Sequence, residues 1–291
     1  MKRPLVFLSL IILAGLQPAV SHAEEAALVL QEMGWVDVQA YLETSNMVII
    51  PLGSTEQHGP HLPLGSDYYQ AFSIAQEISK RTQVVVAPIL LVGYSEYHSG
   101  FPGTLSVKPE TMEHVVFECV ESLIKYGFRR FMFFNSHGGN SIVQDKIIHR
   151  INQTTQAVAI AIGVGSPLQE MEETEFFDWH AGKGETSTML YLYPHLVRME
   201  RAEKPVITFT PQMEELKQLA EEHPELLRVW DSLFGVTSEA KKGGASHELS
   251  SNGIWSFSDP KAATPEMGKT NVEELTEAAV RFIEAWRLAK R

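Results

Sequence analysis

The apolar residues of this chain follow two rhythms: short unbroken runs, and longer stretches in which they return at every third or fourth position. Met47–Leu52 (MVIIPL) is a run of strand length that stops at Gly53, and it predicts a buried strand. Tyr68–Lys80 carries Ala71, Ile74, Ala75 and Ile78 at helical spacing. Val84–Val92 predicts the next strand, interrupted by Pro88. Pro109 stands at a first helical position, ahead of a face marked by Met112, Val115, Val116, Cys119, Val120, Leu123 and Ile124, and Gly127 closes that helix. Phe131–Phe134 then reads as a strand, Asn140–Asn152 as a helix, Ala157–Ile162 as a strand and Glu185–Tyr193 as a helix. Asn271–Lys290 is amphipathic, with Leu275, Ala279, Phe282, Ile283 and Trp286 inward.

Strands rich in apolar residues and alternating with helices predict an α/β layered domain with a mostly parallel sheet. In such sheets ligands bind at the carboxyl ends of the strands. Polar clusters follow the apolar runs at those ends: STEQHGPH after MVIIPLG, and NSHGGN after FMFF. Residues 211–250 break the rhythm. PQMEELKQLAEEHPELLRVWDSLFG is charged and helix-prone, and the following KKGGASHELSSNG is loop-like. A helical insertion around 205–250 is expected on one domain spanning 24–291, as a lid or an oligomer contact; a solvated surface helix is the competing reading.

Composition narrows the classes. Hydrophobic residues at 44% and charged residues at 21% describe a globular chain, not a disordered one. A formal charge of −12 without any basic tract argues against a nucleic-acid partner. The amino terminus pairs Lys2 and Arg3 with an apolar run from Leu5 to Leu16 and ends in SHA at Ala23. That pattern predicts a signal peptide over 1–23, export to the periplasm or beyond, and no membrane attachment after cleavage; an uncleaved anchor is the alternative. Without Lys2 and Arg3, 22 basic residues face 36 acidic ones, a charge of −14. Cys119 has no partner cysteine, so stability rests on the core rather than on a disulfide.

The stretch STEQHGPHLPLGSD at 54–67 crowds Glu56, His58, His61 and Asp67 among prolines and glycines. It is too interrupted for a helix and too polar for a buried strand. With His137 of NSHGGN and Glu185 of HAGKGETS, the first loop offers candidate metal ligands Glu56, His58 and Asp67. A mixed oxygen and nitrogen set suits Zn²⁺, Mn²⁺ or Fe²⁺ better than Ca²⁺ or a structural thiolate site. One carboxylate can bridge two cations, so these five side chains suffice for a two-metal centre with room for water. His61 reads as a turn residue or as a partner orienting a ligand from behind. Taken singly, each residue is surface decoration as readily as a ligand, and HGGN alone fits a glycine turn with Asn140 as N-cap. Several such clusters at strand ends carry the metal reading.

These residues resemble the creatininase (creatinine amidohydrolase) family. The resemblance runs through GSTEQHGPHLPLGSD at 53–67, GYSEYHSGFPGTLSV at 93–107, NSHGGN at 135–140, HAGKGETS at 180–187 and DPKAATPEMGK at 259–269. It implies a three-layer α/β sandwich with a central, mostly parallel sheet, two divalent metal ions per subunit, a small-molecule amide substrate and a homo-oligomer, often a hexamer. By motif, Glu56, His58, Asp67 and His137 match metal ligands, with Asp67 the bridge. Gly139 stands where creatininase itself has a ligand glutamate, and Glu185 is assigned in its place. His180 matches the acid/base histidine; a ligand or a structural hydrogen bonder is the alternative. Glu96 and His98 are expected to line the substrate pocket, and Trp179 to wall it or to sit in the core. The expected function is hydrolysis of a non-peptide, often cyclic, amide C–N bond by a metal-bound hydroxide with His180 as acid/base. A formamide deformylase, a small-peptide hydrolase and a non-catalytic exported metal- or ligand-binding protein are the alternatives.

Overall fold

The computed structural model describes residues 25–163 and 178–289, so the leader expected over 1–23 lies outside the described residues. Helix α1 (Trp35–Thr44) leads into β1 (Met47–Leu52), followed by α2 (Ser66–Thr82), β2 (Val85–Val86), α3 (Pro109–Tyr126), β3 (Arg130–Asn135), α4 (Ser141–Thr154) and β4 (Val158–Gly163). Then come β5 (Asp178–His180), α5 (Lys183–Leu192), α6 (Pro211–Glu222), α7 (Leu227–Asp231), α8 (Ser246–Leu249), β6 (Trp255–Ser256) and α9 (Pro265–Arg287). Among the described residues, no helix is long and apolar enough to cross a membrane.

Strands β2-β1-β3-β4 form a four-stranded sheet, parallel at every pairing, while β5 and β6 make a separate antiparallel pair. Side chains alternate between the two faces of the sheet. Val48, Ile50, Phe131, Phe133 and Ala159 face one way, against Tyr41 of α1, Met112, Val116 and Val120 of α3, and Val143, Ile147 and Ile151 of α4. Met47, Ile49, Met132, Phe134 and Ile162 face the other way, against Ala71, Ile74 and Ile78 of α2 and Val272, Ala279 and Ile283 of α9. The fold is thus a three-layer α/β sandwich. A smaller apolar cluster joins Met213, Leu233, Leu249 and Trp255 of the later chain to Tyr97.

Three departures from the sequence expectations have local causes. The strand expected over Val84–Val92 pairs only at Val85–Val86, because Pro88 has no N–H to donate and the chain leaves the ladder, returning for a bridge between Leu90 and Leu52. Pro51 sits inside central β1 without harm: Ile49 faces β2, accepting from Ala87 N at 2.9 Å, and by alternation Pro51 faces the same side, beyond where β2 has ended. On α3 the buried stripe is Met112, Val116, Phe117 and Val120, whereas Val115 and Cys119 are exposed. The closing helix starts at Pro265 rather than Asn271, since the Thr264 side chain accepts from Met267 N and Pro265 takes the first turn.

Phe133 has 0% of its surface exposed at the centre of the sheet, while Val158 is 50% exposed at the start of β4. Phe133→Ala is expected to destabilise the protein by about 3–5 kcal/mol. Val158→Ala is expected to shift stability by about 0.5 kcal/mol or less. Urea unfolding of the two variants checks the contrast, and equal losses would place the core elsewhere.

Candidate metal centre

β1 and β3 are neighbours in the middle of the sheet and run in the same direction, so the loops leaving their carboxyl ends meet. The first loop folds back through a bond from Glu56 N to Leu64 O at 2.8 Å. Gly53 lets its end close on α2, since a Cβ there would meet the Tyr68 backbone at 2.8 Å. The first turn of α2 thereby brings Asp67 back over the strand end, where the positive end of the helix dipole favours a carboxylate. After β3, Asn135 brackets His137, donating to its carbonyl at 2.7 Å and accepting from its N–H at 3.1 Å. Asn140 makes no side-chain cap on α4. It donates instead to Gly53 O at 3.0 Å and accepts from Tyr94 N at 3.1 Å, tying three loops together. Beyond β5, Ala181 adopts a left-handed φ of 55°, and its N–H donates to Glu185 Oε2 at 2.6 Å. That turn points His180 and Glu185 at the same space.

The cluster so assembled holds electron-pair donors facing one another. Carbonyl oxygens fix the tautomers of two imidazoles. His137 Nε2–H donates to Tyr94 O at 2.8 Å, which leaves Nδ1 bare, 3.3 Å from both Glu56 Oε2 and Asp67 Oδ2. His58 Nδ1–H donates to Glu56 O at 3.1 Å, which leaves Nε2 3.2 Å from Asp67 Oδ1 and 3.8 Å from Glu185 Oε2. Glu56 Oε2 and Asp67 Oδ2 are buried without any hydrogen-bond donor. Ligands roughly 2.1 Å from one ion, at octahedral to tetrahedral angles, stand about 3.0–3.4 Å apart. The separations around Asp67 have that size, so the donor set fits divalent-cation binding around this carboxylate.

Without a cation, protons must supply the charge. Burial pushes His58 down, yet the carboxylates of Asp67 and Glu185 raise it to about 10. Burial likewise opposes protonation of His137, and Glu56, Tyr97 and Asp67 hold it well above the histidine range. Asp67 is desolvated, which raises it, but His58 and His137 hold it well below the carboxylate range. Burial raises Glu185 to about 7. His98 and His180 are pushed well below the histidine range by burial and by their charged neighbours.

The structure brings Glu56, His58, Asp67, His137, Glu185 and His180 into this one cluster, and His98 with them. His180 Nδ1 lies 3.7 Å from Glu56 Oε1, and His180 also groups with His58 and Glu185. His98 is enclosed rather than lining an opening: it is 2% exposed, with Nε2 3.3 Å from Glu56 Oε1. His61 is buried behind this cluster, bonded to the Thr186 hydroxyl at 2.8 Å beside Glu185. Glu96 opens the turn Glu96–His98 half-buried near Tyr94 and joins none of the donor groups. Trp179 is 50% exposed, edge-on to Phe234 at 5.5 Å and Trp255 at 5.2 Å. At Gly139 any Cβ would overlap Tyr94 O, so this backbone admits no glutamate there.

Sequence reading missed Gln57 and Tyr97. Gln57 is buried at the centre of the hydrogen bonds, and Tyr97 stacks on His137 with ring centroids 6.2 Å apart. The only signal for Gln57 was its place between two acidic and basic candidates, and a glutamine in a polar loop is ordinarily solvated.

A family model described as Creatininase: Creatinine amidohydrolase matches residues 31–283. The mycofactocin precursor peptide peptidase of Mycobacterium tuberculosis (strain CDC 1551 / Oshkosh) is 34% identical over 184 residues, covering 60% of this chain and 69% of its own. The creatinine amidohydrolase of Pseudomonas putida is 31% identical over 202 residues, 62% of this chain and 78% of its own. A crystal structure of creatinine amidohydrolase (creatininase) superposes with a TM-score of 0.69 at 24% identity, over 91% of this chain and 99% of that one, a likeness of fold. The chain belongs to the creatininase family and is a hydrolase of that family.

Protonated His58 stabilises the metal-free protein fully below the ordinary histidine value of 6.5, and that contribution is lost as pH rises through about 10. Metal must displace these protons. At pH 7, zinc binding is expected to release about two to three protons, from His58, His137 and in part Glu185, and affinity is expected to rise with pH. Calorimetry in buffers of different ionisation heat measures the release, and zinc binding without proton release would exclude these imidazoles as ligands.

Proposed function

We propose that this member of the creatininase family is a metal-dependent amidohydrolase that cleaves a non-peptide C–N bond in a small, planar or cyclic amide. In this reading Glu56, Asp67 and His137 hold one divalent cation, and His58, Asp67 and Glu185 hold the other. The observation that carries it is Asp67, whose two oxygens each face a bare imidazole nitrogen, His58 at 3.2 Å and His137 at 3.3 Å. Such cations, when bound, polarise a substrate carbonyl and acidify water. Zinc, manganese or iron suits these donors, and solved creatininases described as a manganese form and a Zn-Zn type favour the first two.

His180 is assigned the proton transfers. Its Nε2–H is held by Gln57 O at 2.6 Å, so Nδ1 is the basic nitrogen and faces the cluster. Burial keeps the ring neutral, ready to take a proton from water and deliver it to the departing nitrogen. Trp179, beside His180, would wall the substrate with an aromatic face, and Glu96 would act at the mouth. A substrate other than creatinine is favoured, because the backbone at Gly139 excludes the glutamate of creatininase. A formamide is the second reading, motivated by a deformylase relative that is 33% identical over 103 residues. Export by a leader over 1–23, a homo-oligomeric state such as a hexamer, one domain over 24–291, and a substrate-facing role for the helical stretch around 205–250 belong to the same proposal. The last draws support from Ser246, which bonds His98 of the site.

His180→Ala is expected to lower turnover by roughly 10²–10⁴-fold while zinc content stays near that of the parent. Asp67→Asn is expected to lose metal and turnover together. A screen of cyclic ureas, lactams, formamides and short peptides, with a chelator control, provides the activity, and metal analysis provides the content. Loss of zinc in His180→Ala would make His180 a ligand. Stoichiometric zinc without chelator-sensitive hydrolysis of any amide would favour a non-catalytic binding protein.

A further inference from the structure

His98 and His180 are stacked 4.2 Å apart, both buried and both aimed at Glu56 Oε1, at 3.3 Å and 3.7 Å. Geometry toward Glu56 alone does not distinguish a ligand from a hydrogen-bond donor. The difference lies on their far sides, at Gln57. The Gln57 amide is oriented at both ends: its Oε1 accepts from Gly59 N at 2.9 Å, and its Nε2 donates to Gly253 O at 3.0 Å. The second amide N–H lies 3.0 Å from both His98 Nδ1 and His180 Nε2. His180 Nε2 carries its own hydrogen, which goes to Gln57 O at 2.6 Å. The remaining acceptor is therefore His98 Nδ1. Ser246 Oγ lies 2.9 Å from the same nitrogen and 3.0 Å from Tyr97 O, and with Nδ1 bare its one hydrogen turns to Nδ1, beside the amide.

We propose that Gln57 is a positioning residue that sorts these two imidazoles, making His98 an Nε2–H donor to Glu56 and presenting the bare Nδ1 of His180 to the reaction. The consequence for Glu56 is a division of labour. Oε1 is steadied by His98, and Oε2, which lacks any donor, is left for a cation beside His137. Were His98 protonated on Nδ1 instead, the second amide N–H would be buried without an acceptor, and two lone pairs would oppose each other across the His98–Glu56 gap. The side chain thus acts through His98, and the main chain of the same residue acts through His180. Gly253, at a φ of 75°, lies so close that any Cβ would overlap Gln57 Oε1, and so the 250–254 turn closes the cage behind the amide.

The inference on turnover rests on the amidohydrolase reading; the tautomers do not, and the test separates them. Imidazole ¹⁵N spectra of the zinc-loaded protein, assigned by the signals missing from His98→Gln and His180→Gln, report which nitrogen bears hydrogen. Both rings are expected as Nε2–H in the parent. Gln57→Glu keeps the shape but cannot donate, so His98 is expected to switch to Nδ1–H while His180 keeps Nε2–H. Turnover is expected to fall roughly 10–100-fold with KM and zinc content within about twofold. Gln57→Met, which neither donates nor accepts, is expected to lose turnover similarly without fixing the His98 tautomer, and guards against a charge effect in Gln57→Glu. His98 as Nδ1–H in the parent, or full turnover in a Gln57→Glu protein whose His98 has switched, overturns the proposal. A parent that hydrolyses no amide yet shows both expected tautomers refutes the proposed function and supports this assignment.

Discussion

The structure turns on a charge imbalance enclosed near the middle of the protein. Asp67 is 1% exposed and Glu56 is 1% exposed, and between them they have two carboxylate oxygens that no donor reaches while His137 is neutral. Desolvating ionised carboxylates is costly unless a positive charge sits against them. Two devices offset part of that cost in the protein itself. The amino end of α2 lies under Asp67, and His98 donates toward Glu56. The rest must come from protons on His58 and His137 or from cations in their place. A folded chain that buries such a cluster is built to bind positive charge.

Convergence of the donors follows from topology. Strands β1 and β3 are separated by nearly eighty positions in the chain but lie side by side and parallel, so Glu56, His58 and His137 leave the sheet at the same level. Asp67 joins because Gly53 permits α2 to start against the strand end. Glu185 and His180 arrive from outside the main sheet, on β5 and α5, and are held by other means: pairing of His180 with Trp255 of β6, the bond from His180 Nε2–H to Gln57 O, and the left-handed turn at Ala181. The looser 3.8 Å between His58 Nε2 and Glu185 Oε2 fits this different origin.

Much of this was legible in the sequence, for physical reasons. MVIIPL and FMFF are apolar on both faces because both faces of the sheet are covered, which makes them read as strands without any alternation. The interrupted polar loop between them and the next helix could only sit at a strand end. What stayed hidden was geometry at longer range. The shortened β2 depended on where Pro88 fell relative to a ladder that sequence does not display. Cys119 looked apolar enough for the buried stripe of α3, yet Phe117 took that face. Gln57 was invisible because its importance comes from groups at positions 98, 180 and 253, brought to it only by folding.

The division between these parts bears on how the choice of substrate can be separated from the donor cluster. The members of the donor cluster come largely from loops at the ends of the sheet, where the backbone is fixed by Gly53, Asn135 and Asn140. The surfaces beside His180 come largely from the later chain, through Phe234, Trp255 and the turn at Gly253, which pack on their own apolar cluster rather than on the sheet. Changes in that cluster can reshape the surface beside His180 without moving a member of the donor cluster. They are limited at one point, where Ser246 and Gly253 touch His98 and Gln57: there a change meant to alter the substrate also disturbs the protons of the centre.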